Sequence, residues 1–187
     1  VPAVSRLHLA QAVRVLRGGG VIAYPTEAVW GLGCDPRDEA ALARLLALKR
    51  RPAHKGLILI AAAIDQLTPY IQPLDAGQRA RIGDSWPGPN TWLVPCRSGV
   101  SPLLRGAHAT LAVRVTAHPL AAALCRAFGG AIVSTSANRA ARPPARSALQ
   151  VRTRLGAGVD YILPGALGGA RQPSTIRDLA SGALLRG

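Results

Sequence analysis

Three polar clusters carry the residues of this chain whose types and spacing suit them to chemistry. The first is Tyr24-Pro25-Thr26-Glu27, followed by Trp30-Gly31-Leu32-Gly33-Cys34-Asp35. It sets a hydroxyl and a carboxylate beside glycines that allow a tight backbone path close to a ligand. Glu27 reads equally well as a site group and as a helix cap or ion-pair partner. The second cluster, Lys49-Arg50-Arg51-Pro52-Ala53-His54-Lys55-Gly56, contains four cations in seven residues. A basic run is more often a solvated face, and a helix C-terminus attracts cations through its dipole. Pro52 and Gly56 nevertheless mark a loop, and a loop presents Lys and Arg to phosphates. The third cluster, Ser134-Thr135-Ser136-Ala137-Asn138, holds four hydroxyl or amide side chains directly after an apolar strand. A Ser or Asx turn would use some of them, not all. Arg114 stands in the apolar stretch Leu111-Ala112-Val113-Arg114-Val115. Arginine is almost never buried unpaired, so Arg114 meets an acid partner or a ligand anion. Lys49, Arg51, Lys55 and Arg114 together describe an anion site, with hydroxyls and an amide for orientation. Residue types alone name no substrate.

Other chemistries are missing from the sequence. There is no GxxxxGK[ST] phosphate loop and no GxSxG nucleophile elbow. Four histidines and three cysteines (Cys34, Cys96, Cys125) show no zinc spacing, and Glu27 and Glu39 are the only glutamates. No protein-held metal centre is expected.

The elements that must position these clusters alternate between helical and strand-like patterns. Leu9, Val13 and Leu16 share a helical face, ended by Gly18-Gly19-Gly20. Val21-Ile22-Ala23-Tyr24 reads as a buried strand ended by Pro25. Asp38 caps a helix whose core face is Leu42, Leu45, Leu46 and Leu48. Leu57-Ile58-Leu59-Ile60, Thr91-Trp92-Leu93-Val94, Thr110 to Val115 and Ala131-Ile132-Val133 read as further strands. Asp75 and Ser147 are helix caps, and Pro119 suits a helix's first turn. Apolar rather than alternating strands predict an α/β fold: one domain over residues 1–187, with a largely covered sheet and flanking helices. Open α/β sheets bind ligands where strands end, and there the three clusters fall.

The 187 residues include 23 Lys plus Arg against 9 Asp plus Glu, a net charge of +14. Only Lys49 and Lys55 are lysines, an Arg bias that codon usage accounts for; the scarcity of acids it does not. Residues 97–187 carry 12 basic and 2 acidic side chains, and no carboxylate side chain lies between Asp84 and Asp160. Such a field suits a polyanionic partner, nucleotide or RNA. No apolar run reaches the ~18 residues of a membrane span, so no membrane partner is expected. The start, Val1-Pro2-Ala3-Val4-Ser5-Arg6, lacks signal-peptide character. With three dispersed cysteines, this predicts a cytoplasmic protein.

The three clusters, in this order, resemble the YrdC-like threonylcarbamoyl-AMP synthase family, in its short single-domain bacterial form. The family's KxR…SxN signature corresponds to Lys49-Arg50-Arg51 and Ser136-Ala137-Asn138. The likeness extends to Pro173-Ser174-Thr175-Ile176-Arg177-Asp178. It implies a YrdC-like domain with a twisted mixed sheet and a basic concave site. The implied activity is a nucleotidyltransferase that makes L-threonylcarbamoyladenylate from L-threonine, bicarbonate and ATP, releasing pyrophosphate. Magnesium would arrive with ATP. The product would pass to a downstream threonylcarbamoyl-transferase complex acting on adenosine 37 of tRNAs that read ANN codons. By the same resemblance, Lys49, Arg51, Ser136 and Asn138 support adenylation and hold the ATP phosphates, with Thr110, Pro144 and Arg186 near the nucleotide. Thr26, Lys55, Arg114, Ser134 and Ser174 match threonine contacts. Two departures stand out. Arg139-Ala140-Ala141-Arg142 replaces the family's usual Ser-Gly pair after Asn138, and Trp30 stands where a Tyr or Phe is usual.

Two other readings compete. One is a non-catalytic factor that binds double-stranded RNA or tRNA or matures ribosomes, although one Phe, three Tyr and three Trp offer few stacking platforms. The other is a carbamoyl-adenylate enzyme for a different acceptor, whose known forms carry zinc-finger and acylphosphatase modules that this chain lacks.

Overall fold

The computed structural model describes residues 5–186, so residues 1–4 of the amino-terminal reading, and residue 187, lie outside the described part. Helix α1 (Arg6–Arg17) buries Ala12, Val13 and Leu16, and ends where the Gly18 N–H reaches the Arg14 carbonyl. Strands β1 (Ile22–Pro25) and β2 (Trp30–Gly33) form an antiparallel hairpin. Helix α2 (Glu39–Lys49) begins at Asp38, whose side chain accepts from Ala41 N–H at 2.9 Å. Asp75 opens α3 (Ala76–Gly83) with a reciprocal capping box to Gln78, and Ser147 caps α6 (Ala148–Leu155). Helix α4 (Pro102–Arg105) is one turn long, and α5 (Pro119–Phe128) takes Pro119 at its first position. The remaining strands are β3 (Ile58–Ala61), β4 (Asn90–Pro95), β5 (Thr110–Val115), β6 (Ile132–Ser136), β7 (Tyr161–Ile162), β8 (Thr175–Asp178) and β9 (Leu184–Arg186). They make a mixed nine-stranded sheet in the order β7-β1-β2-β6-β3-β5-β4-β8-β9. The mixed sheet and its flanking helices agree with the fold class read from the sequence.

Two local differences from the sequence reading have clear causes. Gly31 and Gly33, expected from sequence to give a tight backbone path close to a ligand, lie inside strand β2. A Cβ on Gly33 would come within 2.9 Å of Tyr24 Cε1, and one on Gly31 within 3.2 Å of Thr26 Cγ2. These glycines admit neighbouring side chains, a role that mimics turn composition in sequence. Strand β6 also runs on through Ser134 to Ser136, so the hydroxyl cluster begins within the strand, not after it.

Period-two alternation gives each face of the sheet its own core. Leu59, Val113 and Val133 pack with Leu42, Leu45 and Leu46 of α2. On the other face Ile22, Tyr24, Ile60 and Ile132 lie beneath α1 and α5, against Leu16, Leu120 and Leu124. That helical cover stops partway along the strands. Ile60 is the cross-strand partner of Arg114, and Ile58 pairs with both Ala112 and Ser134. From that row onward the face opens into a cavity. No described helix is long and apolar enough to cross a membrane.

Candidate active site

The cavity has a volume of about 580 Å³, within the usual range for a small-molecule site. Alternate residues of two strands form its floor: Thr110, Ala112 and Arg114 from β5, and Ser134 and Ser136 from β6. The β1–β2 loop supplies Thr26 and Glu27, and the loop after α2 supplies Arg51 and Lys55. Pro144, Ser174 and Arg186 complete the far side. Of the residues assigned to the site from sequence, all but Lys49 and Asn138 line this cavity.

The end of α2 explains how one basic run serves three directions. Arg50 takes a left-handed conformation (φ 52°), and the next N–H, from Arg51, returns to Leu46 O at 3.0 Å. The reversal turns Lys49 inward, Arg50 to solvent and Arg51 to the cavity. Arg51 then fixes its own loop, donating to Gly56 O at 2.9 Å and Lys55 O at 3.2 Å. Arg186 donates to Ser174 O at 3.0 Å. Burial, and then the charge of Arg186, lowers the pKa of Arg51; burial, and then the charge of Arg114, lowers that of Arg186. Among the described residues no carboxylate lies within ion-pair distance of Arg51, Lys55 or Arg186. Cations that repel one another without a counter-charge are arranged for a ligand anion.

Lys49 and Asn138 sit behind the cavity wall. The Lys49 ammonium donates to the carbonyl of Ser136, to Asn138 O at 3.0 Å and to Asn138 Oδ1 at 3.2 Å. Burial, followed by the Arg51 charge, brings its pKa down to about 7. Asn138 Oδ1 also accepts from Ser136 Oγ at 2.6 Å, while its amide donates to Arg139 O at 3.1 Å and Arg142 O at 2.6 Å. The divergent Arg139-Ala140-Ala141-Arg142 loop is thereby tied to its neighbours. Ala140 N–H donates to Lys49 O at 2.8 Å, and Ala141 is held at φ 59°. Lys49 and Asn138 reach the cavity wall through Ser136: the Lys49 ammonium donates to its carbonyl, and Asn138 Oδ1 accepts from its hydroxyl.

Arg114 and Glu27 resolve each other's alternatives. Arg114 Nη1 lies 3.1 Å from Glu27 Oε2, with side chains only 8% and 12% exposed. Thr116 Oγ1 donates to Glu27 Oε1 at 2.6 Å. Burial pushes the Glu27 carboxyl upward, but the Arg114 guanidinium and the Thr116 hydroxyl outweigh it and hold the pKa below the ordinary value. Two buried atoms of this pair, Arg114 Nε and Glu27 Oε2, have no hydrogen-bond partner. Nearby hydroxyls already have local bonds: Thr26 Oγ1 donates to Val29 O at 2.6 Å, and Ser174 Oγ lies 3.0 Å from Thr91 Oγ1.

Sequence reasoning missed four contributors. Arg105 and His108 line the cavity, joined by an Arg105 Nη1 bond to His108 O at 3.0 Å. Thr116, which orients Glu27, follows Arg114 by two residues, a spacing that signals a shared strand face. The irregular segment before β8 straps the β1–β2 loop. Gly168 N–H donates to Thr26 O at 3.0 Å and Ala170 N–H to Glu27 O at 2.8 Å, while His118 Nε2 lies 3.0 Å from Ala166 O. No periodic pattern announces it.

Comparison with known proteins places this geometry. A family profile described as "Telomere recombination", Sua5/YciO/YrdC, matches residues 14–187. A Chromohalobacter salexigens protein named threonylcarbamoyl-AMP synthase is 64% identical over 96% of both chains. Among solved structures, P. abyssi Sua5 complexed with L-threonine is 32% identical with a TM-score of 0.88, over 95% of this chain. The chain spans about half (53%) of that Sua5 chain. E. coli YciO is 29% identical with a TM-score of 0.84, covering 97% of this chain and 88% of its own. Matched along nearly its whole length in both sequence and fold, the chain belongs to the Sua5/YciO/YrdC family.

Proposed function

We propose that the protein is a threonylcarbamoyl-AMP synthase, joining L-threonine, bicarbonate and ATP into L-threonylcarbamoyladenylate with release of pyrophosphate. The observation that carries this reading is Arg114: a buried arginine with an unsatisfied Nε, on the floor of a cavity whose rim holds Arg51, Lys55 and Arg186 without carboxylate partners among the described residues. The name of the C. salexigens relative and the threonine complex of P. abyssi Sua5 support the same substrates.

The chemistry follows from the residue inventory. The threonine amine attacks the carbon of bicarbonate, and one amine proton leaves with the bicarbonate hydroxyl as water, giving a carbamate. A carbamate oxygen then attacks the α-phosphorus of ATP, and the bond from that phosphorus to the α,β-bridging oxygen breaks, releasing pyrophosphate. Both partners are anions, and two unit charges ~4 Å apart repel by roughly 4 kcal/mol at an effective dielectric of 20. Arg51, Lys55 and Arg186 offset that repulsion and stabilise charge that builds at the phosphates. Magnesium enters as part of the ATP substrate, held by phosphate oxygens and water. Arg114 takes the threonine carboxylate, and Thr26 and Ser134 face the substrate hydroxyl. Thr110 and Pro144 lie toward the nucleotide. Lys49, Ser136 and Asn138 form one hydrogen-bonded unit that presents the Ser136 hydroxyl to the phosphates. The adenylate is labile, so its consumer is a transferase complex that moves the threonylcarbamoyl group to tRNA in the cytoplasm.

The test is pyrophosphate release from ATP by purified protein, with threonine and bicarbonate omitted in turn. Release that requires both supports the reading; release indifferent to both, or none with all three present, overturns it.

A further inference from the structure

The loop that brings Arg51 and Lys55 to the cavity is held from outside by the end of α4. Leu57 N–H donates to Leu104 O at 2.8 Å, and Ala107 N–H donates to His54 O at 3.0 Å. The two bonds run in opposite senses across one narrow contact between the turn Ala53–Lys55 and the residues that close α4. Neither is part of a strand ladder or a helix, so both serve only to join these two segments.

A glycine on each side makes the contact possible. Gly56 (φ 59°, ψ −177°) and Gly106 (φ 70°, ψ −146°) take backbone conformations that are almost confined to glycine. A Cβ on Gly56 would lie 2.9 Å from Arg105 O; one on Gly106 would overlap His54 O and lie 2.6 Å from Gly56 N. These neighbours are backbone atoms, not the ends of flexible side chains. A side chain at Gly106 therefore has to drive the two segments apart. The displacement would reach the cavity through Arg51, whose Nε and Nη2 donate to Gly56 O at 2.9 Å and Lys55 O at 3.2 Å. Both carbonyls that aim this guanidinium lie in the segment that Gly106 meets.

On the reading that the cavity takes ATP, we propose that Gly106 is a positioning residue for the phosphate site. It seats the Lys55–Gly56 backbone on α4, and that backbone aims the Arg51 guanidinium. Gly106 does not itself line the cavity, so it acts only through the loop it seats. Because the seat is built into the fold, Arg51 is oriented before ATP arrives and loses less freedom when ATP binds.

The experiment is calorimetric titration with ATP of the wild type, Gly106→Ala, Arg51→Ala, the double variant, and Gly99→Ala. Gly106→Ala and Arg51→Ala should each weaken ATP binding by on the order of 10- to 100-fold, the strength of a hydrogen bond to a charged group. In the Arg51→Ala background Gly106→Ala should cost less than ~3-fold more, because the group it placed is gone. Gly99 also has a positive φ (89°), but nothing lies within 4 Å of where its Cβ would stand. Gly99→Ala thus strains the backbone without displacing a neighbour, and should leave ATP affinity within ~2-fold. Equal losses from Gly106→Ala in both backgrounds, or from Gly99→Ala and Gly106→Ala, would mean general destabilisation and overturn the proposal. So would a folded Gly106→Ala that binds ATP as the wild type does. Should circular dichroism show Gly106→Ala unfolded, amide hydrogen exchange of the wild type decides. The Leu57 and Ala107 amides should be equally protected with and without ATP; protection that appears only with ATP would make the contact a ligand-driven closure, not a seat. A wild type that binds ATP but releases no pyrophosphate with threonine and bicarbonate overturns the synthase reading, while the titrations still judge Gly106. A wild type that does not bind ATP overturns both.

Discussion

One face of the sheet is two different environments separated by a single row of residues. Beneath α1 and α5 it presents Ile60 and Ile132, fully buried. One step along the same strands it presents Ile58, Ala112, Arg114, Ser134 and Ser136 to a cavity. Ile60 and Arg114 are cross-strand partners, so the boundary runs between them. The covered half gains roughly 1.5–3 kcal/mol for each large aliphatic side chain it buries. The open half spends that potential on charge, and Arg114 is tolerable there only because Glu27 is beside it. The active site is thus the part of the core from which helices have been withheld and polar groups substituted, two residues at a time. It needs no separate lobe.

Arg114→Ala tests the boundary most severely. It should lower threonine-dependent pyrophosphate release by at least ~1000-fold and cost about 3–5 kcal/mol in denaturant unfolding, because Glu27 is left buried and alone. Arg114→Lys separates charge from geometry: it should recover stability better than activity, since an ammonium lacks the planar fork.

Lys49 sharpens the comparison through pH. Its folded pKa, about 7, lies below the ordinary 10.5, so the unfolded state binds more protons between those values. Wild-type stability relative to Lys49→Met should therefore rise with pH across that window; a flat difference would show the ammonium is not desolvated. Below pH 7 both states are protonated and the penalty is constant. Activity should fall on the alkaline side as Lys49 loses its charge and one of the three N–H groups it shares among Ser136 O, Asn138 O and Asn138 Oδ1, and Lys49→Met should lower kcat about 100-fold.

Leu120→Ala probes the covered half. It should cost about 2–5 kcal/mol of stability, read by denaturant unfolding, while the KM for threonine changes less than ~3-fold. A large KM change would mean that the two halves are mechanically one. The smallest effect is at the divergent loop. Ala141→Gly removes a side chain from a left-handed conformation and should stabilise the fold by at most ~1 kcal/mol, seen as a raised melting temperature, with activity intact.

Legibility in the sequence followed the same boundary. Helices outside the cavity show themselves through apolar periodicity and caps: Asp38, Asp75, Ser147 and Pro119 all stand where their chemistry predicts. The site was visible as types, not as geometry. Four cations were evident, but Lys49 belongs to a hydrogen-bonded support and Arg51 to the cavity, a division made by the left-handed turn at Arg50. Glycines hid β2, and β8 and β9 are too short and mixed to announce themselves.

By itself the sequence determined the alternation of helix and strand, the covered sheet, the excess of cations over acids and, through KxR and SxN, the family resemblance. These are local properties of propensity, periodicity and charge. Only the tertiary structure decided that Glu27 is an ion-pair partner rather than a cap, that Arg114 keeps a free donor, and that residues 166–170 strap the β1–β2 loop. Those outcomes depend on contacts between residues about 90 to 140 positions apart. Such contacts arise from how strands are ordered in the sheet, and strand order leaves no local trace in the chain.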